Sequence, residues 1–68
     1  MKLQINGQDK EISASTVADL VEHLGLKGDR LAIELNRDIV PRAKWAETAL
    51  HEGDKLEMVH FVGGGWRS

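Results

Sequence analysis

Three consecutive glycines near the end of the chain are the residues whose type and spacing suggest chemistry. Gly63, Gly64 and Gly65 follow an apolar segment, and Trp66-Arg67-Ser68 come after them. Because glycine has no side chain, such a segment could pass through a channel too narrow for other residues. A carboxylate at its end would be a poor electrophile, but ATP could convert it to an acyl-adenylate that a sulfur nucleophile attacks. The product would be a thiocarboxylate, and the chain would be both substrate and carrier.

Two other interpretations of the glycine run follow from its composition. A phosphate-binding loop needs spaced glycines followed by a helix N-terminus, and this sequence has neither the spacing nor a predicted helix at that place. A disordered tail or a spacer has the same composition, and this interpretation stays open. Whether the glycines serve a carrier or a spacer, we expect residues 63–68 to be a flexible arm beyond a domain formed by residues 1–62.

The composition restricts the classes of function. A chain of 68 residues forms one domain, and a domain of this size buries only ~60% of the surface of its unfolded chain, so we expect no deep active site. The chain has no cysteine, so any sulfur chemistry must use sulfur imported from another molecule. Its nine basic and eleven acidic residues are scattered, which argues against a nucleic-acid partner. No segment has the length and apolarity of a membrane span or signal peptide, and a cytoplasmic location is the default prediction.

The polar side chains do not form a catalytic or metal-binding motif. His23, His51 and His60 lack the spacing of zinc ligands. Ser13 or Ser15 could be combined with these histidines into a Ser-His-Asp set, but any sequence of this composition permits such a combination. We therefore predict that the chain is not an enzyme and holds no metal or permanent cofactor.

The hydrophobic periodicity predicts the elements that must position the tail. Alternation indicates a strand over residues 1–6 and a hairpin partner over 9–13, joined by Asn6-Gly7, where both residues tolerate positive φ. Thr16 followed by Asp19 indicates the start of a helix that ends near Gly25. Further strands are predicted over 31–35, 39–40 and 55–62, with a helical turn over 42–46.

This order of elements predicts a two-layer α+β fold, with one main helix packed across a mixed sheet of four to five strands. Ubiquitin-like β-grasp domains have the same order of elements. The order of the strands within the sheet is expected from this analogy, because periodicity alone does not determine it.

The last predicted strand offers a candidate docking surface. Val59 and Phe61 should point away from the core, close to the glycines. Such an outward apolar pair could bind a partner, although single exposed apolar residues are common. We assign Pro41, Arg42 and Trp45 to the fold first, since a tryptophan can cover the edge of a small core.

Motifs in the second half of the chain are more discriminating than the glycines alone. They are Asn36, Ile39-Val40-Pro41-Arg42, Trp45, Gly53-Asp54 and Val59-His60-Phe61-Val62-Gly63-Gly64-Gly65. Together they resemble the ThiS family of thiamine-biosynthesis sulfur carriers, and the resemblance covers essentially residues 1–65. A terminal Gly-Gly is shared by many ubiquitin-like carriers, whereas its combination with Asn-x-x-Ile-Val-Pro-Arg-x-x-Trp is much more specific.

The resemblance implies a set of partners. An E1-like, ThiF-type adenylyltransferase would activate Gly65 with ATP, with Gly64 and Gly63 as the slender approach. Sulfur from a cysteine desulfurase route would form the thiocarboxylate, and a ThiG-type thiazole synthase would receive it. The resemblance also favours Val59 and Phe61 as docking residues. Delivery of sulfur to molybdopterin or another pathway, and a ubiquitin-like interaction module that is never adenylated, are the alternatives.

The residues after the glycines depart from the family pattern. Trp66-Arg67-Ser68 place the free carboxylate on a serine, and the indole of Trp66 would obstruct a channel shaped for bare glycines. We hypothesise a proform that a peptidase cuts after Gly65. The rival explanations are that these residues are left over from cloning, or that the chain is a nonfunctional copy.

Overall fold

The computed structural model of the chain describes residues 1–26 and 28–60. Within these residues five strands form one sheet: β1 (Lys2–Ile5), β2 (Gln8–Glu11), β3 (Leu31–Leu35), β4 (Asp38–Ile39) and β5 (Lys55–His60). They are accompanied by the helix α1 (Val17–His23) and by the 3₁₀ segments Gly28–Arg30 and Arg42–Glu47. The predicted α+β architecture, with one main helix on a mixed sheet, is confirmed.

The order of the strands in the sheet is β2-β1-β5-β3-β4, so β5 lies at its centre. β1 and β5 run parallel, whereas the other neighbouring strands are antiparallel. The strand that leads into the glycine tail is therefore hydrogen-bonded on both sides.

Two asparagines with positive φ hold β5 from these two sides. Asn6 has φ 50°, and its side chain accepts from the Met58 N–H at 2.7 Å and donates to the Met58 carbonyl at 3.2 Å. Asn36 has φ 51°, accepts from the Lys55 N–H at 3.0 Å and donates to Asp54 Oδ1 at 3.1 Å. Asparagine suits both places because it tolerates the left-handed conformation. Asn6 follows β1 and Asn36 follows β3, and both of these strands pair with β5. Each side chain therefore adds hydrogen bonds to β5, or to the residue before it, at the point where the backbone turns away.

Hydrogen bonds at both ends define α1. The Thr16 hydroxyl accepts from the Asp19 N–H at 3.1 Å, as the sequence predicts for a helix cap. After the helix, Gly25 has φ 71°, and the Leu26 N–H donates to the Val21 carbonyl at 3.1 Å. This bond and the left-handed glycine form a Schellman motif, which needs a residue without a Cβ penalty.

The core lies between α1 and the inner face of the sheet. Its most deeply buried side chains are Leu3, Val17, Leu20, Ile33 and Leu56. Trp45 closes one edge at 6% exposure, and its indole Nε1 donates to the Val40 carbonyl at 2.9 Å. No polar or charged side chain is buried in the described part of the chain. The assignment of Trp45 to the fold is confirmed.

Candidate functional site

The residues predicted to carry the chemistry, Gly63, Gly64 and Gly65, lie outside the described residues, as do Phe61 and the segment 66–68. The structure instead describes the strand that precedes them. β5 ends at His60, three residues before Gly63 in the sequence. The surface around this strand is therefore the described surface that is nearest to the glycines in sequence.

The outer face of β5 points away from α1. Leu56 and Met58 are buried in the core, so the alternate residues Glu57 and Val59 point to the opposite side. Val59 is 55% exposed, which confirms its predicted outward direction. The corresponding prediction for Phe61 stays a prediction.

The neighbouring strands add apolar residues around Val59. Ala32 of β3 is paired with Val59, and Ile39 of β4 is paired with Glu34 on the same face. Ile39 is 73% exposed, whereas Ala32 is half-buried and forms the floor between the two larger side chains. We call these three residues, Ala32, Ile39 and Val59, the apolar patch. They line an open cleft of about 310 Å³.

Two carboxylates stand beside the apolar patch. Glu34 of β3 and Glu57 of β5 are directly paired across the strands, and both line the same cleft. Glu34 is half-buried and Glu57 is exposed. We call these two residues the acidic pair. Directly opposed side chains in an antiparallel pair have Cβ atoms about 4.5–5.5 Å apart, so the two charges are close neighbours.

The sequence interpretation missed Ile39, Ala32 and the acidic pair as parts of one surface. Alternation within residues 31–35 already indicates that Ala32 and Glu34 face away from the core. The missing information was that β3 lies between β4 and β5, which no local pattern reveals. With that order known, the outward residues of all three strands fall on one surface.

A second groove, of about 530 Å³, adjoins the cleft and shares both members of the acidic pair with it. Its polar lining also includes Gln4, Asn36, Arg37 and Lys55. The Asn36 side chain is already engaged with β5 and the turn before it. Among residues 1–26 and 28–60, no three His, Asp or Glu side chains are grouped as a metal site. In the same residues, no helix has the length and apolarity needed to cross a membrane.

Comparison with known proteins identifies close relatives of this domain. The model of the ThiS family matches residues 3–65 of the chain. The sulfur carrier protein ThiS of Bacillus subtilis is 35% identical over 65 residues, which cover 93% of this chain and 98% of that protein. The crystal structure of a thiamine biosynthesis protein (ThiS) from Geobacter metallireducens superimposes with a TM-score of 0.83 at 28% identity, covering 96% of this chain and all of that one.

Longer proteins also contain a segment similar to this chain. A thiazole synthase of Paramagnetospirillum magneticum is 48% identical over 66 residues, which cover 96% of this chain but 20% of that protein. A thiazole synthase of Magnetococcus marinus is 36% identical over 66 residues, which again cover 20% of that protein. Similar sequences therefore occur both as short proteins and as one part of larger proteins.

Proposed function

The chain belongs to the ThiS family, and we propose that it is a sulfur carrier for thiazole formation in thiamine synthesis. The observation that carries this proposal is the family match over residues 3–65, which includes the three glycines. Similarity to proteins named as ThiS sulfur carriers supports the carrier role. Similarity to segments of thiazole synthases supports thiazole formation, over molybdopterin, as the destination of the sulfur.

The proposed chemistry takes place at the carboxylate of Gly65. This carboxylate attacks the α-phosphorus of ATP in a ThiF-type adenylyltransferase, which forms the acyl-adenylate and releases pyrophosphate. Hydrosulfide, supplied through a cysteine desulfurase route, then displaces AMP and leaves the thiocarboxylate. A ThiG-type thiazole synthase takes the sulfur from it. ATP belongs to the activating partner, and the carrier itself holds no cofactor.

The folded domain contributes presentation and docking. β5 is hydrogen-bonded on both sides, so the residues that precede the tail in the sequence are held in a fixed strand beside the apolar patch. We propose that this patch, together with Phe61, docks on the activating enzyme and on the thiazole synthase. Exposed apolar side chains that adjoin each other are typical of such interaction surfaces.

The Gly65 carboxylate exists only after the peptide bond between Gly65 and Trp66 is broken. We propose that a peptidase hydrolyses this bond before activation. The same requirement holds whether residues 66–68 end the chain or continue into a longer protein. We also propose a cytoplasmic location, with which the use of ATP in the activation step is consistent.

Three chains that differ only at the tail test the proposal. They end at Ser68, Gly65 and Gly63, and each is mixed with a purified ThiF-type adenylyltransferase. ATP-pyrophosphate exchange measures adenylation, and intact mass measures the replacement of one oxygen by sulfur. We expect adenylation and sulfur loading only for the chain ending at Gly65. Loading of the chain ending at Gly63 would refute the assigned site, and equal adenylation of the chains ending at Ser68 and Gly65 would remove the trimming step.

A fourth chain controls for the shape of the tail. It ends at Gly65 and carries Gly64→Val, which keeps the length and the carboxylate but adds a side chain. We expect it to fold normally and to be adenylated much more slowly. If no chain is adenylated, an interaction module becomes the better assignment. If the thiocarboxylate forms but reaches only molybdopterin synthase, the pathway is wrong and the carrier role stands.

A further inference from the structure

The acidic pair is an unfavourable arrangement for the isolated domain. Glu34 and Glu57 are direct cross-strand neighbours, and like charges in this arrangement destabilise a sheet. Within residues 1–26 and 28–60, no ion pair within 4 Å neutralises either carboxylate. The nearest cations in sequence, Arg37 and Lys55, line the neighbouring groove together with both glutamates, but neither forms an ion pair with them within 4 Å. The cleft therefore presents two adjacent carboxylates to whatever binds there.

The rest of the cleft is apolar. Val59 and Ile39 form its walls and half-buried Ala32 its floor. Its volume of about 310 Å³ is at the lower end of the range for small-molecule pockets, about 300–1,000 Å³. This size and openness suit one side chain of a docked protein. The required side chain has a long apolar stem and ends in a group that satisfies two carboxylates.

Arginine has this combination of properties. Its three methylene groups can lie along Val59 and Ile39 while its charged end stays accessible to water. Its planar guanidinium has five N–H donors in a fork and can therefore bind both members of the acidic pair at once. The ammonium of lysine is a compact, strongly hydrated point charge and matches this geometry less well.

We propose that the cleft between β4 and β5 seats an arginine side chain from the surface of the activating adenylyltransferase. The proposal rests on the proposed function, since it specifies how the partner of the tail is recognised. The arginine would relieve the repulsion within the acidic pair while its stem covers the apolar patch. Because β5 continues into the tail, a contact here fixes the partner next to the point where the tail begins.

The test compares two double variants with the same change of charge. Glu34→Gln with Glu57→Gln removes both carboxylates of the cleft. Glu22→Gln with Glu47→Gln removes two exposed carboxylates of α1 and the 3₁₀ segment, away from the outer face. Both are made in the chain ending at Gly65. Adenylation by a purified ThiF-type enzyme is measured as KM and kcat at low and at high salt.

We expect the cleft variant to raise KM about tenfold at low salt with kcat nearly unchanged, the factor expected for losing two partly exposed ion pairs. The control variant should stay within about twofold of the unmodified chain. High salt should reduce the difference between the cleft variant and the unmodified chain, because salt screens the contact. Thermal unfolding of the free cleft variant should occur at or above the temperature of the unmodified chain, since a repulsive pair is removed.

The outcomes separate this proposal from the proposed function. If the unmodified chain is adenylated and the cleft variant has the same KM, the arginine contact is wrong and the carrier role stands. If the unmodified chain is not adenylated at all, both fall. A carbodiimide couples carboxylates to lysine amines but not to guanidinium groups. A cross-link from Glu34 or Glu57 to a lysine of the enzyme would therefore overturn the assignment to arginine.

Discussion

Replacing Asn6 measures how strongly a single side chain ties the first turn to the central strand. Its amide makes two hydrogen bonds with the backbone of Met58, a residue 52 positions away, at 2.7 and 3.2 Å. In Asn6→Ala both bonds are lost, at about 1 kcal/mol each. Alanine must also adopt φ 50°, which costs roughly 1 kcal/mol more. We therefore expect the free energy of unfolding to fall by about 3 kcal/mol.

This loss is large for a small domain. A chain of this length has a total stability of roughly 3–10 kcal/mol. The expected fall of the unfolding temperature is about 12–24 °C, at about 4–8 °C for each kcal/mol. Asn6→Asp keeps the acceptor for the Met58 N–H and the tolerance of positive φ but loses the donor. We expect it to lose about 1–2 kcal/mol and to stay folded if the alanine variant does not.

Urea unfolding of the chain ending at Gly65 provides the assay. Of the two tryptophans, only Trp45 remains in that chain, and at 6% exposure it reports on the core. Asp9→Ala, at an exposed residue of the same hairpin, is the control and should stay within about 0.5 kcal/mol of the unmodified chain. If Asn6→Ala also stayed within that limit, the bonds to Met58 would contribute nothing to stability and the argument would be refuted.

Four further substitutions test other parts of the structure. Thr16→Ala should lower the free energy of unfolding in urea by about 1 kcal/mol, because the helix cap is lost. Thr16→Ser keeps a hydroxyl and should therefore lower it much less. Equal free energies for the two variants would contradict a capping role. Gly25→Ala should lower the free energy of unfolding in the same assay by about 1 kcal/mol. The cause is backbone strain alone, because an added Cβ meets no atom within 4 Å. An unchanged free energy would show that the positive φ is not required. Trp45→Phe removes the donor to a buried carbonyl and leaves a cavity. The free energy of unfolding, followed by circular dichroism, should fall by about 2–4 kcal/mol. A smaller fall would mean that the site repacks. Ile39 is 73% exposed, so Ile39→Ser should have a free energy of unfolding within about 0.5 kcal/mol of the unmodified chain. The KM for adenylation should rise about fivefold through the loss of apolar contact. An unchanged KM would remove Ile39 from the docking surface.

Local sequence patterns were sufficient to predict most of the individual elements. Asn6-Gly7 predicted the hairpin because few other residues accept two successive positive φ angles. Thr16 and Gly25 predicted the ends of α1 because the hydrogen-bonding needs of helix ends are local. The alternation in β3 and β5 predicted which side chains are buried, since the side-chain direction repeats every two residues.

The candidate site was only partly predictable, because local patterns do not reveal which strands lie next to each other. The chemistry proposed for the glycines comes from the family resemblance, and the direction of Val59 was predicted from the alternation within its own strand. The acidic pair, by contrast, joins residues 34 and 57 across two strands, and Ile39 reaches the same surface from a third strand. No periodicity within one strand contains that information.

Local patterns were enough to predict the elements, their buried faces, the type of fold and the tail to which the proposed chemistry is assigned. Periodicity does not contain the central position of β5, the hydrogen bond between Asn6 and Met58, or the cleft that two glutamates share with the apolar patch; these are features of the folded chain. The physical reason is that periodicity reports the environment of one segment, whereas strand order depends on which distant segments pack together most favourably. That choice is made by the whole core and not by any local pattern.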